Sequence, residues 1–325
     1  MAGNRQLRNS LLLTLTAIIW GVAFVAQTEG SAYMGAASFT GLRSLIAAAA
    51  LGLLDLLRGR RNTAETPASS APHRSRHDRE SPGLWKAGVI CGTLLCMASL
   101  LQQKGIELGT GAGKAGFITA TYIVLVPILN LVVFHKRTSI LLWLGVAVGL
   151  VGLYLLCINE SLTIQPGDLL VLLCAVAFTF QILAVDRYSP CYDAVKLSVI
   201  QFLTCGVLAS ILMVFRDILP VGLAAWAAPF GSWSAWIPLL YAAILSSAVG
   251  YTLQIVGQKG LNPTLASLLM SSESVFAVLA GWLILHQRLT PRELLGAALV
   301  FIAVLLAQLA PSLPSPKTRL PDTTR

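Results

Sequence analysis

Glu273 is the residue of this 325-residue chain that most needs a chemical explanation. It lies about nine residues into an apolar run, which at about 1.5 Å per residue puts it roughly 13 to 14 Å deep, near the middle of a bilayer. A carboxylate there costs about 2.5 to 3.5 kcal/mol on insertion scales, so it must face the protein interior or a wet cavity. There it can bind a cationic group of a substrate, take up a proton, or lock one helix to another through a hydrogen bond. Sliding the chain over itself by 151 residues pairs Glu273 with Tyr122. Arg43 is the other charge within an apolar run; it can neutralise Glu273, bind an anionic group of a substrate, or snorkel to the surface. Gln103 and Gln254 are related by the same offset, with Gln102 adjacent, and symmetric amides serve either substrate binding or interhelical hydrogen bonding. Trp20 and Trp282 are candidates for the wall of a cavity, or for packing and interfacial anchoring.

The elements that must position these residues follow from where charge is missing. Charged residues are 11% of the chain and apolar ones 56%, against roughly 25% and 45 to 50% in soluble domains. No Asp, Glu, Lys or Arg occurs over 9–28, 87–103, 115–135, 138–159 or 294–316, and each run is long enough for a bilayer core, which takes about 20 helical residues. The patterning predicts ten spans, near 10–27, 35–55, 85–103, 114–134, 140–157, 168–186, 195–215, 236–256, 264–285 and 293–310. A cytoplasmic N-terminus puts 17 of the 23 Lys and Arg residues on the cytoplasmic side, so the positive-inside rule favours both termini there. Residues 58–84, rich in Pro, Ser, Arg and His, bury too little apolar surface to repay ordering and read as a flexible cytoplasmic loop, and 311–325 as a cytoplasmic tail. The formal charge of +9 therefore reports loop placement in a membrane and calls for no nucleic-acid partner.

The 151-residue offset is not confined to one pair. It aligns Trp85 with Trp236, Gln103 with Gln254, Gly109 with Gly260, His135 with His286, Arg137 with Arg288 and Gly145 with Gly296, without a gap from Trp85 to Ala147. Apolar composition alone would scatter matches among Leu, Ala and Val, so paired Trp, Gln, His and Arg indicate duplication. The expected domains are 1–157 and 158–310. Five spans per half is an odd number, so the second half enters the bilayer from the opposite side. Such an inverted repeat suits a carrier, because two related halves can exchange conformations around one central site.

The pattern resembles the drug/metabolite transporter superfamily, specifically its EamA-type ten-helix members. The likeness is carried by LTAIIWGVAF, by Arg43 within FTGLRSLIAA, by AGKAGFITATYIVLVPIL and by SSESVFAVLAGWLILHQRLTPRELLGAALVFIAVLL. His286 and Gln287 stand where the family usually has an acidic residue at the end of the ninth helix; the first half has His135 and Lys136 there. The resemblance implies an all-α membrane fold around a central cavity, and transport, commonly export, of amino acids or other small metabolites.

Other chemistry is poorly supported. Gly111, Gly113 and Gly116 match GxGxxG, but no strand precedes them, so no dinucleotide site is expected. The six cysteines show no metal-like pairing. The expectation is a secondary transporter in a bacterial inner membrane with no cofactor, metal or catalytic group, whose partners are a small-molecule substrate and the lipid bilayer; a homodimer stays open. An intramembrane enzyme, a lipid-handling protein or a sensor on the same fold is the alternative.

Overall fold

A computed structural model of the chain describes residues 2–64, 82–135, 138–158, 165–284 and 290–309. Among them the secondary structure is helical throughout. The first half contains α1 (Ala2–Ser31), α2 (Ala36–Ala64), α3 (Pro82–Glu107), α4 (Ala112–Ala120), α5 (Tyr122–Phe134) and α6 (Ile140–Cys157). The second contains α7 (Pro166–Tyr188), α8 (Ala194–Met213), α9 (Leu223–Ala227), α10 (Trp233–Leu240), α11 (Thr252–Gln258), α12 (Pro263–Ser271), α13 (Glu273–Ile284) and α14 (Pro291–Leu309). Nine helical stretches among the described residues are long and apolar enough to cross a bilayer, and Ile140–Leu156 is a shorter apolar tenth. Each expected span coincides with one of these.

Two expectations need correction. The helices outrun the apolar runs, so 58–64 continue α2 and 82–84 begin α3. The expected loop 58–84 is therefore helical at both ends, and Leu57, Arg58, Arg60 and Arg61 are all fair helix formers. Its middle, 65–81, lies outside the described residues, as do 311–325, Lys136, His286 and Gln287. Several spans are also interrupted, which the hydropathy pattern did not show. The fourth breaks at Thr121 and the ninth at Ser272. The eighth passes through a π-helical segment, Tyr241–Tyr251, between α10 and α11.

The two breaks have a common local cause. Thr121 Oγ1 donates to Ile118 O at 2.6 Å and Ser272 Oγ to Leu269 O at 2.6 Å. In each case the same carbonyl also takes the backbone N–H of the hydroxyl residue, at 3.2 and 3.4 Å. A hydroxyl that bonds back to the chain three residues earlier competes with the helical ladder and tightens the turn. All of these residues are related by the 151 offset, and so are Gly109 and Gly260, which carry positive φ in the preceding turns, at 96° and 73°.

The helices pack pairwise, α6 on α14, α2 on α8, and α3 on α7 and α8, while α1 lies against α13 and the π-helical segment. The last two contacts bring α1 to the site. A Cβ on Gly21 would sit 2.7 Å from Glu273 O and 2.7 Å from Ala277 N, so only glycine lets α1 lie this close to α13. On the other side, Trp20 Nε1 donates to Ser246 O at 3.2 Å and Tyr241 Oη to Ile19 O at 3.0 Å.

Candidate functional site

Tyr122 and Glu273 are each the first residue after a break, and the breaks bring them together. Tyr122 Oη donates to Glu273 Oε1 at 3.2 Å, and the two side chains are 3% and 4% exposed. Among the described residues Glu273 makes no ion pair. Both residues line a small cavity of about 30 Å³, room for no more than a water or two, so the site is nearly closed in this conformation.

Trp20, Arg43 and Gln254 line the same cavity. Trp20 packs against Tyr251 with ring centroids 4.6 Å apart, and Tyr251 meets Phe202 edge to face at 5.5 Å. Arg43 is buried and sits 5.6 Å from the centroid of Phe39, a cation–π contact. Its charge is therefore not neutralised by Glu273 through an ion pair. The cavity wall thus combines one carboxylate, one guanidinium, several amides and aromatic faces.

Two of the expected site residues fall elsewhere. Gln103 is fully buried one contact away from the cavity, donating to Gln27 O at 3.1 Å and to Ser31 Oγ at 2.8 Å. Trp282 is 51% exposed and does not line the cavity. It lies nine residues after Glu273 on one helix, and at about 100° per residue that is half a turn out of phase, facing away.

The structure adds Phe24, Gln27, Phe178 and Gln181, all in the cavity wall. A second offset, 154 residues, aligns Phe24 with Phe178 and Gln27 with Gln181. That signal is present in the sequence but hidden from a single sliding comparison, because the first helix of each half is displaced by three residues relative to the rest. Thr119 also lines the cavity and accepts from Gln102 Nε2 at 3.1 Å.

Apolar helices in two related halves, closing on a buried centre of mixed polarity, define an integral membrane protein. The family is shown independently. The model of the EamA-like transporter family matches residues 8–158 and again 165–309. The chain belongs to the EamA-like transporter family of the drug/metabolite transporter superfamily, and is a multi-pass membrane transporter. It is 28% identical over 314 residues to an uncharacterized transporter of Archaeoglobus fulgidus, covering 94% of this chain and 88% of that one. It is 25% identical over 296 residues to the uncharacterized inner membrane transporter YedA of Escherichia coli, covering 90% and 88%. A solved crystal structure superposes with a TM-score of 0.69 at 17% identity, over 92% of this chain and 96% of the other, which shows the shared fold.

Proposed function

We propose that this protein is a secondary transporter that moves an amino acid or a related small metabolite outward by alternating access, with Glu273 as its coupling or binding carboxylate. The observation that carries this reading is the Tyr122–Glu273 hydrogen bond, 3.2 Å long and buried beside the cavity where the two broken helices meet. Broken helices at the interface of inverted repeats are where carriers place substrate and ion sites. Residues 1–157 and 158–310 serve as the two repeats. The charge distribution favours both termini in the cytoplasm, and the likeness to YedA, an inner membrane transporter, favours a cell inner membrane.

Glu273 has two ways to drive the cycle. Ionised, it attracts a cationic group of the cargo; protonated, it loses its charge and gains an O–H donor, while its other oxygen still accepts. Either event changes what the two broken helices hold between them, and so biases the opening of one face over the other.

The test is transport of a panel of amino acids into and out of proteoliposomes, with and without an imposed pH gradient, for wild type and Glu273→Gln. Loss of gradient-driven flux with residual substrate exchange supports proton coupling, and loss of both supports substrate binding. Full activity with unchanged pH dependence removes Glu273 from the mechanism.

A further inference from the structure

A groove of about 220 Å³ opens on the outside of the bundle between α3, α5 and α7, and shares no residue with the central cavity. Ile90 and Leu94 line it from α3, Leu129 and Val133 from α5, and Phe180 and Ala184 from α7. Each pair is four residues apart and so lies on one face of its helix. Val133 and Phe180 are exposed, and all three helices belong to spans, so the groove faces lipid. No acidic side chain lines it.

Two of these apolar rows end in a cation. Lys86 stands one turn before Ile90 on α3, and Arg187 one turn after Ala184 on α7, where it lines the groove itself beside Tyr188. Gly105 of α3 lies against Gly167 and Val171 of α7, whereas Leu84 and Ala87 cluster with Val185. The two helices are therefore antiparallel, and Lys86 and Arg187 reach the same end of the groove. Their spans are Gly83–Glu107 and Pro166–Tyr188, so both cations sit at the edge of the apolar layer. Both are exposed, and among the described residues neither makes an ion pair or a hydrogen bond. Asp186 is about 100° round the helix from Arg187, off this row.

A groove open to hydrocarbon gains dispersion contacts from a chain lying in it. The molecule whose tail lies beside Phe180 then has its head beside two uncompensated cations, and basic pockets between helices at this depth suit anionic heads. We infer that the groove is a site for an anionic phospholipid, with one acyl chain between α3, α5 and α7 and the head-group phosphate held by Arg187 and Lys86. The guanidinium can meet two phosphate oxygens at once, while the ammonium acts as a point charge. The site touches neither Tyr122 nor Glu273, so it stands apart from the proposed transport cycle.

The experiment is native mass spectrometry of the full chain in detergent, titrated with dioleoyl phosphatidylglycerol or dioleoyl phosphatidylcholine, which share their chains and differ in net charge. Wild type is compared with Lys86→Gln/Arg187→Gln, Ala184→Phe and Arg58→Gln. Arg58 is the control: an exposed cation that ends the preceding span, on the same side of the bilayer as Lys86, without lining the groove. Wild type is expected to prefer phosphatidylglycerol by about tenfold or more, and the double variant by about twofold, with phosphatidylcholine binding unchanged. Both cations it removes are exposed, so this variant keeps the fold and decides on its own. Ala184→Phe fills the groove and should weaken both lipids about fivefold or more, and Arg58→Gln should change nothing. Equal binding of the two lipids by wild type overturns the inference, as does a preference that survives in the double variant. An equal loss in Arg58→Gln would reduce the effect to diffuse surface charge, and undiminished binding by Ala184→Phe would remove the acyl chain from the groove. Displacement of phosphatidylglycerol by millimolar glycerol phosphate would assign the cations to a free phosphate instead, and overturns the lipid site.

Discussion

The α4–α5 and α12–α13 helices are two versions of one device, and they differ where chemistry matters and agree where geometry does. Both break at a hydroxyl residue that bonds back three positions, Thr121 to Ile118 and Ser272 to Leu269. Both resume with N–H groups three and four residues on returning to the carbonyl of the break residue, from Val124 and Leu125 in one and Val275 and Phe276 in the other. The next side chain is Tyr122 in one arm and Glu273 in the other. Had duplication retained the acid in both arms, two carboxylates would meet at hydrogen-bond distance, and like charges so close cannot both ionise in a buried site. A tyrosine opposite the acid keeps the polar contact and removes the repulsion. The halves can share a backbone because they do not share this residue.

The largest effect on this arrangement should come from Gly21, which sets how closely α1 approaches the second arm. A side chain there meets backbone atoms of α13, which cannot rotate away. Gly21→Leu is expected to destabilise the protein by about 3 kcal/mol, the upper end of overpacking costs, and to abolish transport. Gly52 in α2, whose Cβ would meet nothing within 4 Å, is the matched control. Thermal unfolding in detergent should show a large drop for Gly21→Leu and none for Gly52→Leu; equal shifts would mean that the α1–α13 contact is not close-packed.

A smaller effect is expected at the point where the arms touch. Tyr122→Phe removes the donor to a buried carboxylate and should cost about 1 to 3 kcal/mol. Because Tyr122 and Glu273 are direct partners, the cost should shrink markedly when Glu273→Gln is already present, giving a coupling energy of about 1 kcal/mol or more in a double-mutant cycle of thermal stability. Additive effects would show that the 3.2 Å contact contributes nothing specific, and the comparison between the arms would reduce to packing.

Much of this was legible before any coordinates. Charge-poor apolar runs located ten spans because burying ionised groups in lipid is costly enough to leave a mark on composition. The Tyr122–Glu273 contact followed from one offset, since duplicated elements related by a pseudo-twofold axis meet at equivalent depth. Gln27 and Gln181 escaped because the first helix of each half has its own offset. Trp282 was misplaced because depth along a helix says nothing of angular position, and nine residues turned it out of phase. The π-helical segment at Tyr241–Tyr251 left no sequence mark, since its register depends on what α1 offers to pack against.

The smallest difference between the arms lies at their entrances. The side chain of Asn262 caps α12, accepting from Thr264 N at 2.9 Å ahead of Pro263, whereas Gly111 gives α4 no side-chain cap. Gly111 has φ −59° and ψ 149°, an extended conformation open to any L residue, and a Cβ there would meet nothing within 4 Å. Gly111→Asn should therefore install the missing cap without strain and stabilise the protein by about 0.5 kcal/mol, since asparagine and glycine differ by only a few tenths at such positions and the substitution also lowers the entropy of the unfolded chain. Asn262→Ala should cost about 1 kcal/mol. If the first arm must loosen at its entrance during the cycle, Gly111→Asn will raise the melting temperature and slow flux together; a higher melting temperature with unchanged flux would mean that the uncapped entrance of α4 has no part in transport.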